Sequence, residues 1–358
     1  MGYVVQGMRA AGATVTLHRI GQARTAMSSM RSPVFEERPV ERPTDPDARP
    51  APLDRLPDVG NGSEPLAGGS RPSNRPRFLA TFDVEDWFHA ENVRSSLPTT
   101  DWDGLEARVE PNAHKVLDIL AETGARSTFF VLGWIARKYP GLVRRIVDEG
   151  HEVASHTDGH LRLDGLSPSE LERDLAAARD SLEQLTGSPV LGIRAPNFSI
   201  SDSVLDCLAA AGYWYDSSLF SFRAHDRYGH ISTPVSSDDP VVEVRPGLHE
   251  LQMTQVRVGP IAVPWSGGAY FRLIPYRAYR RGVARKLRAA GWFMFYFHPW
   301  ELDTEEERLP GMPRSLKFRA YVGRGRMRDD LRRLLREFGS TRIDEALVSS
   351  GRTPRSVG

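Results

Sequence analysis

The chain has 358 residues, 40% hydrophobic and 26% charged, and its 47 Lys+Arg against 46 Asp+Glu leave a formal net charge of +1. This is an ordinary globular composition, long enough for two average domains or one α/β barrel of roughly 250 residues with additions, and its charge balance gives no case for a nucleic-acid partner. The single cysteine, Cys207, excludes an intrachain disulfide and fits a reducing compartment.

No apolar run approaches the roughly 20 residues needed to cross a bilayer. Arg9, His18 and Arg19 interrupt the N-terminal stretch that a secretory signal would keep apolar. The expected location is cytoplasmic, with Met27 and Met30 as alternative starts. From Ser32 to Arg77 the chain is rich in Pro, Arg, Gly and Ser and poor in aromatics. Such a stretch buries too little apolar surface to offset ordering entropy, so residues 1–76 are expected to form a disordered leader.

Elements then alternate. Phe78 to Val84 reads as a buried strand ending in the acids Asp83, Glu85 and Asp86. Asn112 to Thr123 carries apolar residues at helical spacing and stops at Gly124. Ser127 to Leu132 is β-branched and aromatic, hence a strand, and the helix after it is broken near Pro140. Glu152 to Ser155 forms a short strand delivering His156 and His160. Ser167-Pro168-Ser169-Glu170 is a capping box opening a helix that runs to Thr186. Val190 to Ile193 leads into Arg194, and a helix over Asp202 to Ala211 precedes strand-like Tyr213 to Asp216. A hairpin-rich stretch from Gly247 to Trp265 follows, then a basic amphipathic helix over Pro275 to Ala290. Trp292 to Phe297 is the last buried strand, and it delivers His298. Strands alternating with helices imply a mainly parallel sheet, closed or nearly closed as a barrel.

Asp83/Glu85, His156/His160, Arg194, Asp216 and His298 each fall at the C-terminal end of an expected strand, the face on which such barrels build active sites. Two imidazoles and a carboxylate make a three-ligand metal site with a position left for water. Asp83 and Glu85 share a face if the strand continues, so one can bind the metal while the other acts as general base; Asp86 competes for the ligand role. A metal between them would also relieve the cost of burying like charges together. Arg194 is a partner for Asp83, and His298 is a candidate general acid whose ring Asp216 would orient. Trp265, Tyr270, Phe271 and Trp300 are candidates for stacking on sugars. His151 and Cys207 read as structural residues.

With TFDVEDW, SHTDGH, RAPNF, DSSLF and FHPWE in this order, the sequence resembles the NodB-homology polysaccharide deacetylases, carbohydrate esterase family four. It is most similar to the branch of bacterial exopolysaccharide loci, including exosortase-associated members, which carries DVEDWF, a GGAYFRL-like segment and a C-terminal domain of unknown function. The resemblance spans Arg77 to Leu347. It implies an α/β fold, a distorted (β/α) barrel with fewer than eight regular units. The corresponding domains are the leader 1–76, the deacetylase domain 77–301, a C-terminal extension 302–348 packed on the barrel, and a tail 349–358.

By resemblance, Asp83 is the base, His156 and His160 are metal ligands, and Arg194 tethers the base. Asp216 partners the catalytic histidine, His298. The family usually has two adjacent aspartates; here Val84 intervenes, which matches a subset and makes Glu85 the carboxylate ligand. DSSLF lacks the tryptophan common at that motif. The implied activity is N-deacetylation of an N-acetylated polysaccharide or oligosaccharide, with a divalent metal, foremost Zn²⁺, as cofactor. Association with exopolysaccharide synthesis machinery is implied as well. The rival readings are a C–N hydrolase of a small cyclic amide and a catalytically silent glycan-binding component of a polysaccharide export system.

Overall fold

Apolar residues alternate along the first strand: Phe78, Ala80, Phe82 and Val84 pack in one core, while Leu79 packs in a second. That alternation defines the sheet's two faces. The structure, a computed structural model, describes residues 77–90, 99–220, 229–236, 239–259, 261–305, 318 and 320–354; the expected leader, 1–76, lies outside them.

The strands are β1 (Arg77–Val84), β2 (Thr128–Val131), β3 (Glu152–Ser155), β4 (Gly192–Ile193), β5 (Tyr215–Asp216), β6 (Val241–Arg245), β7 (Leu248–Leu251), β8 (Gln255–Val258), β9 (Ile261–Pro264) and β10 (Trp292–Phe297). Eight form one sheet in the order β10-β1-β2-β3-β4-β5-β7-β6, and β8 and β9 pair as a separate hairpin. All neighbours in the large sheet are parallel except β6 and β7. The expected distorted barrel is therefore present as a curled half-barrel, whose ladder ends at β10 and β6 instead of closing.

The helices are α1 (Val109–Thr123), α2 (Gly133–Lys138), α3 (Pro140–Asp148), α4 (Pro168–Thr186), α5 (Asp202–Ala210), α6 (Gly268–Leu273), α7 (Tyr276–Ala290), α8 (Arg324–Phe338) and α9 (Ile343–Ser349). The large outer core joins helices α1 to α8 to the sheet through Phe82, Phe129, Ile193, Phe293, Phe295 and Phe297, whereas Ile343, Ala346 and Leu347 of α9 pack in the smaller core. The smaller inner core holds Leu79, Phe130, Ala154, Tyr215 and Met294. Side chains of inner parity at the strand ends, Asp83 on β1 and His298 just after β10, thus point into the curl.

Most expected elements are found, with shifted ends that have local causes. Helix α1 starts before Asn112 because Asp86 accepts hydrogen bonds from the backbone N–H groups of Arg108 (2.6 Å) and Val109 (2.9 Å). Strand β4 is shorter than expected because Val190 is held by α4: its N–H donates to Glu183 and its carbonyl accepts from Arg179. The capping box at Ser167 is present as read. Cys207 is only partly buried, packed against the outer core.

The C-terminal elements are fastened to the barrel. Phe338 of α8 stacks on Phe78 at 5.9 Å, and Ile343 and Asp344, at the start of α9, donate backbone hydrogen bonds to Glu152.

Candidate active site

Strand β1 ends at Val84, and Glu85 does not continue it: the Glu85 N–H folds back onto the Asp83 carbonyl at 3.0 Å. Strand parity points Asp83 into the curl, and this tight turn, rather than parity, brings Glu85 to the same inner mouth. Both are buried, at 2% and 3% exposure.

The Asp83 carboxylate accepts from Arg194 Nη1 at 2.6 Å. Arg194 is fully buried and spends its remaining donors on Thr81 Oγ1 (2.9 Å), the Ser217 carbonyl (3.0 Å) and Ser217 Oγ (2.9 Å), with its plane 4.0 Å from the Phe130 ring. Every branch of the guanidinium fork is used, so its position is fixed. Removing either partner would strand a buried charge, at a cost of about 3–5 kcal/mol.

The Glu85 carboxylate meets two imidazoles, with His160 Nε2 at 2.5 Å and His156 Nε2 at 3.9 Å from Oε2. One ligand atom from each of Glu85, His156 and His160 lies within 4.8 Å of the other two, and all three residues are buried. The donor set suits a metal ion: one carboxylate and two imidazoles, all buried, converging on one space. His156 Nδ1 faces the Arg194 carbonyl at 2.7 Å, which places the ring's proton there and leaves Nε2 as a lone-pair donor toward the pocket. Burial lowers the His156 pKa to about 4, keeping the ring neutral as a ligand must be. Burial would raise the Glu85 carboxyl, but His160, His298 and His156 outweigh it and hold it below the usual carboxylate range.

The loop presenting His160 is strained, with positive φ at Thr157 (71°) and His160 (52°). Asp174 of α4 holds it by accepting from the Asp158 and Gly159 N–H groups at 3.0 and 3.2 Å, and Arg137 pairs with Asp158 at 2.5 Å. Gly133 is needed beneath this loop, since a Cβ there would lie 2.2 Å from Asp158 Oδ1. None of these supports was read from the sequence. Asp174 lies sixteen residues from the Asp158 amide it holds, with no local motif to announce it.

Asp86 is not in the metal group. It accepts from the Trp87, Arg108 and Val109 backbone N–H groups, capping a short 3-10 turn (Trp87–His89) and the start of α1. Its lone pairs are committed, which separates it from Glu85.

His298 sits opposite, its Nε2 at 3.4 Å from Glu85 Oε1 and 3.9 Å from Asp83 Oδ2. Here one expectation is corrected: the carboxylate on the ring's Nδ1 is Glu301, at 3.1 Å, not Asp216. Asp216 is the register partner of Glu250 across β5 and β7, and β5 lies five places from β10 in the sheet. Asp216 also accepts from Ser218 Oγ and Glu250 from the Ser218 and Leu219 amides. Burial raises the Asp216 carboxyl to about 6 and, with the neighbouring Asp216 charge, Glu250 well above its usual value, in the wall of the fold.

Glu301 is held by Arg272, whose Nε donates at 2.8 Å and whose Nη1 reaches the Val322 carbonyl at 2.7 Å. Burial opposes ionisation of Glu301, but Arg272 and His298 bring its pKa down to about 2. Burial likewise lowers the His298 pKa, yet the Glu85 and Glu301 carboxylates raise it to about 9. Trp300 stacks on the His298 ring at 5.0 Å and 13°, and its Nε1 points to Glu85 Oε1 at 3.4 Å. Of the expected sugar-stacking residues, Trp265 and Phe271 are instead core, packed around Tyr279. Trp300 and Tyr270 stay partly exposed.

Residues 99–215 match the family model Polysaccharide deacetylase, and residues 217–348 match Domain of unknown function (DUF3473). The chain carries a polysaccharide deacetylase domain. It is 35% identical over 99 residues to a peptidoglycan-N-acetylglucosamine deacetylase of Bacillus cereus, over 28% of this chain and 46% of that protein. It is 41% identical over 99 residues to a chitooligosaccharide deacetylase of Sinorhizobium fredii, over 27% of this chain and 46% of that one. The chain thus spans about half the length of these curated relatives. A solved structure from Mycobacterium smegmatis, provisionally named a polysaccharide deacetylase, aligns with a TM-score of 0.51 at 23% identity, covering 82% of this chain and 98% of that one. At that identity the likeness speaks for the fold.

The pocket draws on both matched regions of the chain. His156, His160 and Arg194 lie in the deacetylase match, whereas His298, Glu301 and Arg272 lie in the DUF3473 match.

Proposed function

We propose that the chain is a metal-dependent N-deacetylase acting on N-acetylated sugars of a bacterial exopolysaccharide or its precursor. The observation that carries this reading is the convergence of three groups in one buried mouth: Asp83 held by Arg194, the Glu85/His156/His160 trio, and His298 held by Glu301. The exopolysaccharide part rests on the likeness of DVEDWF and GGAYFRL to the exopolysaccharide-locus branch.

Glu85, His156 and His160 would hold a divalent cation, foremost Zn²⁺. Such an ion supplies Lewis-acid polarisation of the acetamide carbonyl and acidifies water. Asp83, held by Arg194, takes a proton from the water whose oxygen attacks the carbonyl carbon. His298, protonated at Nε2 and steadied through Nδ1 by Glu301, gives its proton to the amide nitrogen as the C–N bond breaks. The products are acetate and a free amine. Trp300 positions the imidazole by stacking and closes the pocket wall beside Glu85.

The test is acetate release from N-acetylglucosamine oligomers by wild type, Asp83→Asn and His156→Ala, with metal content measured on the same samples. Activity in wild type alone, with metal lost only from the histidine variant, is the expected pattern. Bound metal without acetate release from any N-acetylated glycan would overturn the deacetylase reading and leave other amides as substrates.

A further inference from the structure

From Leu251 to Trp300 the chain has fifty residues with no Asp or Glu and eight Arg or Lys, although the whole chain carries only +1. Six of the eight lie on α7, where Tyr279, Gly282, Val283 and Leu287 face the core and Arg277, Arg280, Arg281, Arg285 and Arg288 are exposed. Arg280 is paired with Glu337 of α8. Arg277, Arg281 and Arg288 have no carboxylate partner among the described residues. Uncompensated cations on one helix face concentrate the local field, even where the net charge is small.

The β8–β9 hairpin lies against the same helix, since the Arg285 guanidinium donates to the Arg257 carbonyl of β8. Val258 and Ile261 pair directly across the hairpin and so share a face. They are 54% and 63% exposed, while Val256 on the same face is buried at the root. An apolar stripe therefore leaves the core and ends in solvent. A single exposed aliphatic residue needs no explanation. Two paired at a tip, beside helix cations without partners, make a patch of two chemistries.

We propose that the β8–β9 tip and the basic face of α7 form a peripheral docking surface for a bilayer containing anionic phospholipid. A soluble polyanion would use the arginines but leave the aliphatic tip in water. A bilayer interface takes both, with Val258 and Ile261 at the acyl boundary and the guanidinium groups among lipid phosphates. Among the described residues no helix is long and apolar enough to cross a membrane, so the attachment is to the surface. Helix α7 ends at the start of β10, whereas His298 follows that strand's other end. Arg288 and the hairpin contact at Arg285 therefore lie toward the end of α7 remote from the pocket's mouth, and Arg277 and Arg281 toward the other end. This proposal is independent of the deacetylase reading.

The experiment is co-sedimentation of the full chain with vesicles of phosphatidylcholine alone or with phosphatidylglycerol, at low and high salt. The chain should pellet with the phosphatidylglycerol vesicles at low salt, stay in solution with phosphatidylcholine alone, and be released by salt. Neutralising Arg277→Gln, Arg281→Gln and Arg288→Gln together should weaken partitioning about a hundredfold. Val258→Ser with Ile261→Ser should weaken it about tenfold. These positions are exposed, so unchanged thermal unfolding serves as the control for folding. Failure to pellet with phosphatidylglycerol at low salt would overturn the proposal. So would binding that the arginine variant weakens but the tip variant does not, together with equal binding to a soluble polyphosphate, because that pattern marks a polyanion groove.

Discussion

Glu85 and Glu152 are both buried, at 3% and 6% exposure, yet their surroundings drive them to opposite charge states. Glu85 lies past the C-terminal end of β1 among three histidines, which hold it ionised against the cost of burial. Glu152 opens β3 at the other end of the sheet, where burial and Asp344 raise its pKa to about 8. Its oxygens accept from Thr128 Oγ1 (2.6 Å), Tyr215 Oη (2.9 Å) and the Ile343 amide (3.1 Å). Burial alone therefore does not mark a functional carboxylate. What distinguishes Glu85 is that basic lone-pair donors converge on the same space, whereas Glu152 collects hydrogen-bond donors that fasten α9 to the barrel.

The largest expected effect follows from that contrast. Glu85→Gln or His156→Ala should empty the metal site and reduce acetate release to background, as elemental analysis and an acetate assay on one preparation would register. Full metal content in both variants would mean that the trio is only an ion pair with a neighbour. Asp83→Asn should be nearly as damaging to turnover, by about 10²–10⁴-fold, with metal retained. If metal left with Asp83, its separation from the ligand group would be wrong. Glu301→Gln should lower kcat by about 10–100-fold, with little change in KM and none in metal content. The same kcat loss from Asp216→Asn, with none from Glu301→Gln, would restore Asp216 as the partner of His298.

How far these features were legible in the sequence depends on distance along the chain. The run WFMFYF before His298 specifies strand parity locally, and TFDVED does so for Asp83, because alternation is a two-residue property. The parallel sheet follows from such signals, whereas Glu85 reaches His156 and His160 only through the turn after β1. Parity does not reveal the partner of His298, although its signature is present. His298-Pro299-Trp300-Glu301 has the same capping-box spacing as Ser167-Pro168-Ser169-Glu170, and the structure forms both boxes. That spacing puts Glu301 on the His298 backbone amide, and the same carboxylate oxygen that accepts from the amide at 3.2 Å lies 3.1 Å from the ring's Nδ1. Asp86 illustrates the reverse limit. Only the return of the chain at Arg108, twenty-two residues later, decides that it caps α1 rather than joining Glu85. Arg272 is farther still from any local cue, since it acts on a carboxylate twenty-nine residues away.

The smallest effect tests the other half of the comparison. A carboxyl whose folded pKa is raised contributes stability that is fully present below its ordinary value of 4.5 and is lost as pH rises through about 8. Glu152 should therefore make the wild type progressively less stable across that window, because the unfolded chain ionises this carboxyl while burial and Asp344 hold it protonated in the fold. Glu152→Gln keeps the shape and cannot ionise. Its melting temperature should be close to wild type near pH 5 and above it near pH 8, by roughly 3–6 °C for an effect of about 1–2 kcal/mol. Comparing the two proteins at each pH cancels the other groups that titrate on unfolding, including His151 and His156, both lowered to about 4 by burial. Parallel melting curves would show that the α9 amides, Thr128 and Tyr215 stabilise the ionised form enough to offset burial. Glu152 would then be a carboxylate held like Glu85, and the distinction between the two ends of the sheet would rest on the histidines alone.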